Sequence, residues 1–282
     1  YFGGRRDLEE GIIRVLYNLS FVEDPTRILR AVRFEQRYNF TIESQTLNLA
    51  KGAIKSKMLA KLSADRVREE LKHILAESYP LGAIRRMQEL GIWRYILPEA
   101  VLDDEVLALT GRLPGAMGFI WDLGMRDYEP WLIYLTGLLY KGRIDAAGLE
   151  ARLRLTRDEQ YKVMDSLCRW RSTLDELGAA RPMKMSEIAR ILRNFTPEGY
   201  IFILAKAETD RVSERIKNYL ARSRHNKLAV TGEDIKALGY RPGPLFKEVL
   251  DALVDARLDG LVQTREEELR FAGEYLAKRR EQ

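Results

Sequence analysis

The sequence is nearly devoid of soft metal ligands and thiols: one cysteine, Cys168, and two histidines, His73 and His225, in 282 residues. A lone thiol closes no intramolecular disulfide, and these three residues cannot assemble a Cys/His zinc cluster, so a disulfide scaffold and a Cys/His metal enzyme are both excluded. Long apolar runs are missing too. The longest, Trp131 to Tyr140, is interrupted by Thr136 and Gly137 and reaches about half of the ~20 residues that cross a bilayer. It reads as a buried helix, and no membrane partner is expected. No internal repeat, low-complexity tract or long Gly/Ser/Pro linker is visible. The chain opens at Tyr1 with neither an initiator methionine nor a signal-peptide pattern, and a cytoplasmic origin in a longer protein is expected.

An apolar fraction of 46% is enough to bury a real core, and the length suggests about two domains. The net charge of +5 is modest, so any nucleic-acid reading depends on where the charge sits. Between Arg211 and Lys227 there are six basic residues against Glu214 alone, an excess equal to the whole net charge. Lys51 to Lys72 carries seven basic side chains against three acidic ones. Charge alone leaves two readings open, solvated helix faces or RNA-contacting surfaces.

Most of the chain has a helical apolar period. Val67, Leu71, Ile74 and Leu75 form one stripe, and Leu81, Ile84, Met87 and Leu90 another. Ser63, and Thr264 with Glu267 three residues later, mark helix starts, while Gly91 and Gly239, followed by Pro98 and Pro242, mark helix ends. The exception is Gly11 to Leu16, GIIRVL, which reads as one short strand. No later segment offers it an obvious partner, and a lone strand cannot satisfy its backbone. Its sheet is therefore expected to come from upstream or from another segment. The predicted fold is all-α and elongated, with this one residual strand at the N-terminus.

The segment that carries chemistry is Phe21 to Phe40, FVEDPTRILRAVRFEQRYNF. Asp24 before Pro25 predicts a helix start, since a carboxylate at the cap accepts a free amide and proline at the first position forfeits a donor that had no partner. Asp24 and Arg27 are three apart and Glu23 and Arg27 four apart, so all three can meet on the first turn. One reading is a helix cap with a surface ion pair. The other is an acceptor beside a planar donor fork, the arrangement that reads a base edge. Cytosine and adenine present an amine next to an acceptor, whereas uracil presents a carbonyl where the amine would be.

EDPTRILRAVRFEQRYNF closely resembles the EDxxR motif of class II tRNA nucleotidyltransferases and bacterial poly(A) polymerases. FGGRRDLEEGIIRVL resembles the linker motif before it, LSADRVREELKHIL the next family motif, and MQELGIWRYILPE the end of the family's neck. Near the C-terminus, VTGEDIKALGYRPGPLFKEVLDALVDARLDG is similar to the tail of the bacterial enzymes. The resemblance implies a chain divided into a remnant of the catalytic head and hinge over 1–22, a neck over 23–98, a body over 99–205 and a tail over 206–282. It implies that Asp24 and Arg27 read the base, with Glu23 orienting Arg27 and Arg30 assisting near the nucleotide, and that Asp7 and Arg14 belong to the hinge. With a tRNA grip implied by the resemblance, the two basic runs make Lys51, Lys55, Lys57 and Lys61 of the neck and Arg215, Lys217, Arg222, Arg224 and Lys227 of the tail the expected RNA contacts. The implied partners are tRNA, a nucleoside triphosphate (ATP or CTP) and an upstream catalytic head that holds Mg²⁺.

One departure from the family pattern matters. The Gly-Ser dipeptide followed by a D-x-D pair, the metal-binding signature of the head, does not occur. Two-metal phosphoryl transfer needs clustered carboxylates. Asp103 and Asp104 do not reproduce that spacing, and Asp251, Asp255 and Asp259 are expected to be a solvated acidic helix face. No residue is therefore assigned to catalysis or metal binding, and the chain is expected to select nucleotides and grip tRNA without itself adding A or CCA to a tRNA 3′ end. A stand-alone RNA-binding module, a poly(A) polymerase fragment and a helical protein adaptor are the alternatives.

Overall fold

A computed structural model describes residues 3–239 and 243–280. Tyr240, Arg241 and Pro242, within the GYRPGP stretch of the tail-like segment, lie outside the described residues. Among the described residues the fold is almost wholly helical, and no helix is long and apolar enough to cross a membrane. Chain contacts divide it into two compact units, one formed by 1–120, 125–169 and 196–206, the other by 121–124, 170–195 and 207–282.

The first unit opens with α1 (Gly4–Glu9), β1 (Ile12–Ile13) and the single turn α2 (Ser20–Glu23), which leads into α3 (Thr26–Tyr38). β2 (Thr41–Ile42) and α4 (Ser44–Lys55) follow, then a 3-10 turn over Met58–Lys61, α5 (Ala64–Leu75), α6 (Pro80–Glu89) and α7 (Trp93–Ile96). Ser63 caps α5 by accepting from the Arg66 amide, as its position predicts. α3 packs on α5 and α6 through Ile28, Leu29 and Val32, all essentially inaccessible to water. α8 (Asp104–Asp122), α9 (Pro130–Leu139), α10 (Ala146–Leu153) and α11 (Arg157–Leu177) come next. The apolar run is indeed a buried helix: every residue of α9 from Trp131 to Leu139 is buried, against α5 on one side and α13 (Pro197–Lys206) on another.

The strand differs from expectation in length and in partner. β1 is two residues long and pairs in parallel with β2, Ile12 opposite Thr41 and Ile13 opposite Ile42. Thr41 N donates to Gly11 O (2.8 Å) and Glu43 N to Ile13 O (3.0 Å). Beyond the pairing, Val15 N is satisfied by the Thr46 hydroxyl (3.2 Å). One edge of the strand is thus paired inside the chain, by a segment later in the sequence. A partner of two residues is too short to show any period in the sequence.

The second unit is built on α12 (Met185–Leu192), α14 (Asp210–His225), α15 (Gly232–Ala237), α16 (Pro244–Leu258) and α17 (Arg265–Arg280). Val230, Ile235, Val249, Leu253, Ala272 and Leu276 form its terminal core. Glu268, fully buried beneath this core, accepts from the amides of Ala229 (2.8 Å) and Val230 (2.9 Å) and from the Arg257 guanidinium. Of the acidic face expected to be solvated, Asp251 remains 51% exposed, whereas Asp255 and Asp259 are committed. Asp259 accepts from Ser186 N (2.8 Å) and Oγ (2.7 Å) at the start of α12, and Asp255 pairs with Arg193 (2.6 Å). The carboxylates dock α12, a long-range use that helix-face counting cannot reveal.

Candidate nucleotide and RNA interface

Proline disfavours helical geometry in the residue before it, and Asp24 is accordingly extended (φ −138°, ψ 91°), breaking α2 from α3. The helix starts at Thr26, one residue later than the cap pattern implies. Asp24 still caps it: Oδ1 accepts from Thr26 N (3.2 Å) and from the Thr26 hydroxyl (2.6 Å). The same oxygen accepts from Arg66 Nη2 at 2.8 Å. Burial alone would push the Asp24 carboxyl up, but the Thr26 hydrogen bonds and the charges of Arg66 and Arg27 hold it below the usual carboxylate range.

Arg27 Nη1 donates to Ser20 Oγ (2.7 Å), to Ser20 O (3.4 Å) and to the Tyr17 hydroxyl (3.3 Å). Glu23 does not bond Arg27. It accepts from the Tyr17 hydroxyl, so its expected influence on Arg27 runs through that phenol. Arg27 Nε stands 3.9 Å from Asp24 Oδ2, and the two side chains remain 40% and 22% exposed. Oδ2 of Asp24 and Nη2 of Arg27 make no hydrogen bond among the described residues. An acceptor and a donor are thus left uncommitted side by side.

Asp24, Thr26, Arg30, Asp65, Arg66, Glu69 and Glu70 line a groove of about 280 Å³ between α3 and α5, near the lower end of the ~300–1,000 Å³ typical of small-molecule sites. Arg30 is exposed and has no ion-pair partner among the described residues; Arg27 stands outside the lining. Burial pushes the Glu70 carboxyl up, against the charges of Arg33, Arg30 and His73. Tyr17, Ser20, Thr26, Arg66 and Glu70 escaped the sequence reading. Arg66 lies 42 residues from Asp24, and its place within LSADRVREELKHIL was its only signal.

Asp7 and Arg14, both expected at a hinge, meet, Arg14 Nε donating to Asp7 Oδ2 at 3.2 Å. Lys51, Lys55, Lys57 and Lys61 are all exposed at the end of α4 and along the 3-10 turn, with no ion pair among the described residues. The tail set is mixed. Arg222 and Lys227 are exposed, as is Lys217, and the Arg224 guanidinium lies over Gly124, 2.9 Å from where a Cβ there would stand. Arg215 is already committed: it donates to Leu177 O (2.6 Å), Ala179 O (2.9 Å) and Arg181 O (2.6 Å), closing the C-terminal end of α11.

The carboxylates do not fit Mg²⁺. Among the described residues no three of His, Cys, Asp and Glu group so as to hold a metal ion. Asp103 caps α8 through Val106 N (2.9 Å) and pairs with Lys141 (2.7 Å).

Residues 39–102 match the family described as "Probable RNA and SrmB- binding site of polymerase A". The chain is 38% identical over 278 residues to an A-adding tRNA nucleotidyltransferase of Geobacter sulfurreducens, matching 96% of this chain and 32% of that protein. It therefore spans about a third of that curated relative. Among solved structures, the Thermotoga maritima CCA-adding enzyme complexed with tRNA superposes with a TM-score of 0.83 at 30% identity, covering 98% of this chain and 67% of that one. A CCA-adding enzyme in complex with ATP gives a TM-score of 0.81 at 30% identity over 99% and 66%.

Proposed function

This chain belongs to the tRNA nucleotidyltransferase and poly(A) polymerase family, and from that premise we propose that it is the nucleotide-selecting and tRNA-gripping part of a cytoplasmic enzyme that adds A, or CCA, to tRNA 3′ ends. The observation that carries this reading is the uncommitted pair on the first turn of α3. Asp24 Oδ2 accepts from the exocyclic amine of adenine or cytosine, and Arg27 Nη2 donates to the ring nitrogen beside it. Uracil reverses both groups and is rejected. Arg66 and Thr26 hold the carboxylate in place through its other oxygen, and the Tyr17–Ser20 pair holds the guanidinium through its other nitrogen. The exposed lysines from Lys51 to Lys61, with Arg222 and Lys227, supply phosphate contacts. The neck, body and tail limits at 23–98, 99–205 and 206–282 are part of this proposal, as is an upstream head that supplies Mg²⁺ chemistry. The identity to an A-adding relative along nearly the whole chain favours A as the product.

The test uses Asp24→Asn and Arg27→Ala in the longer enzyme. Asn retains an acceptor for Thr26, so Asp24→Asn keeps its melting temperature, yet an amide can turn a donor toward the base. Each lost base-edge contact is worth about 1–3 kcal/mol of discrimination. Both variants are expected to lose A or C incorporation and to admit U, with tRNA affinity little changed. Unaltered preference among the four nucleotides would leave only the cap and the surface pair.

A further inference from the structure

A second groove opens farther along α3, and nucleotide selection does not use it. Arg33, Gln36 and Arg37 of α3 line it together with Glu77, Ser78 and Tyr79 from the turn before α6, enclosing about 330 Å³. Tyr79 is 84% exposed, more than any other large hydrophobic side chain among the described residues. It precedes Pro80 at the N-cap of α6 (φ −136°, ψ 70°), and its side chain makes no capping hydrogen bond. Glu77 is answered by Arg37 at 3.2 Å. Arg33 has no ion-pair or hydrogen-bond partner among the described residues and its Nε is buried without an acceptor; its guanidinium lies over the Phe34 ring at 4.9 Å, and its charge acts on Glu70 without an ion pair. The groove therefore offers an aromatic face, a hydroxyl at Ser78 and a net positive charge.

Those three features match one nucleotide of an unpaired strand. An exposed ring stacks any base, guanidinium groups hold the phosphate, and a duplex cannot present a free base face. Arg30 and Arg37 are seven residues apart on one helix, about 10 Å along its axis, so a nucleotide bound at Asp24 does not also fill this groove. We propose that the groove holds one unpaired nucleotide of the bound RNA, its base on Tyr79 and its phosphate near Arg33 and Arg37. This rests on the reading that the chain binds RNA.

The experiment uses the 282-residue chain and two labelled RNA hairpins, one blunt and one ending in three unpaired nucleotides. The wild type is expected to prefer the hairpin with the overhang. Tyr79→Ala should weaken that binding on the order of tenfold, the scale of one base–aromatic stack, while leaving blunt-hairpin affinity and melting temperature unchanged. Tyr79→Trp should restore it. Salt-sensitive binding of both hairpins without preference, or a Tyr79→Ala variant that binds the overhang as the wild type does, would overturn the groove and spare the RNA reading. Binding of neither hairpin by the wild type would overturn both.

Discussion

Arg215 lies in a basic run and is an expected RNA contact, but its guanidinium is spent on three carbonyls, at 2.6, 2.9 and 2.6 Å. The two uses separate experimentally. A hydrogen bond to a charged group contributes roughly 1.5–3 kcal/mol. These three share one side chain, and the contact to Arg181 O is exposed, so water replaces part of the loss in Arg215→Ala. A net destabilisation of about 2–3 kcal/mol is expected. On a scale of about 4–8 °C per kcal/mol for domains near 100 residues, melting of the second unit should fall by roughly 8–24 °C. Hydrogen exchange across residues 170–195 locates the loss. Arg215→Lys recovers only part, since one ammonium cannot match a fork serving three acceptors. Arg222, exposed on the same helix, should behave in the opposite way. Arg222→Ala keeps its melting temperature and lowers the slope of log affinity against log salt by about 1, whereas Arg215→Ala leaves that slope alone. The strut assignment is refuted if Arg215→Ala melts like the wild type and loses a unit of salt slope.

Hydrogen bonds from Lys141, Tyr140 and Lys206 hold the Glu105 carboxyl down to about 2, from 4.5. A depressed carboxylate stabilises the fold above its unfolded value, and the contribution disappears as pH falls from about 4.5 towards 2. Glu105→Gln should flatten the melting-temperature profile in that window, and a wild-type profile would count against the network. Asp259→Ala should cost about 0.5–2 kcal/mol through the lost cap on α12, with Asp259→Asn retaining most of it; equal urea midpoints for the two would contradict the capping role. Glu268→Ala strands Arg257, the buried Val230 amide and the partly buried Ala229 amide, so a loss of about 3–5 kcal/mol is expected in denaturant unfolding, and a loss below about 1 kcal/mol would show that water reaches them.

Local chemistry was legible in the sequence wherever partners lie within a turn of each other. The α5 cap at Ser63, the buried α9 run and the helix start beside Asp24 and Pro25 all follow from spacing. Partners far apart in the chain were not legible. Arg66 on Asp24, Asp259 on Ser186 and Arg215 on the end of α11 join segments 42, 73 and 34 to 38 residues apart. A carboxylate bound for a distant helix start looks the same in sequence as one bound for water. The second strand failed for a different reason, because two residues carry no period.

The β1–β2 pairing has a consequence for how this segment tolerates change. It ties Ile13 to Ile42, so everything between them, including the whole of α3, is a closed span whose two ends are pinned to each other. One added residue inside α3 would turn all that follows by about 100°, carrying Arg33 and Arg37 off the groove and leaving Thr41 out of step with Gly11. The helix inside the clasp is therefore barred from changing in length, and natural variation in residue count should fall outside the clasp, in the exposed connections between the later helices.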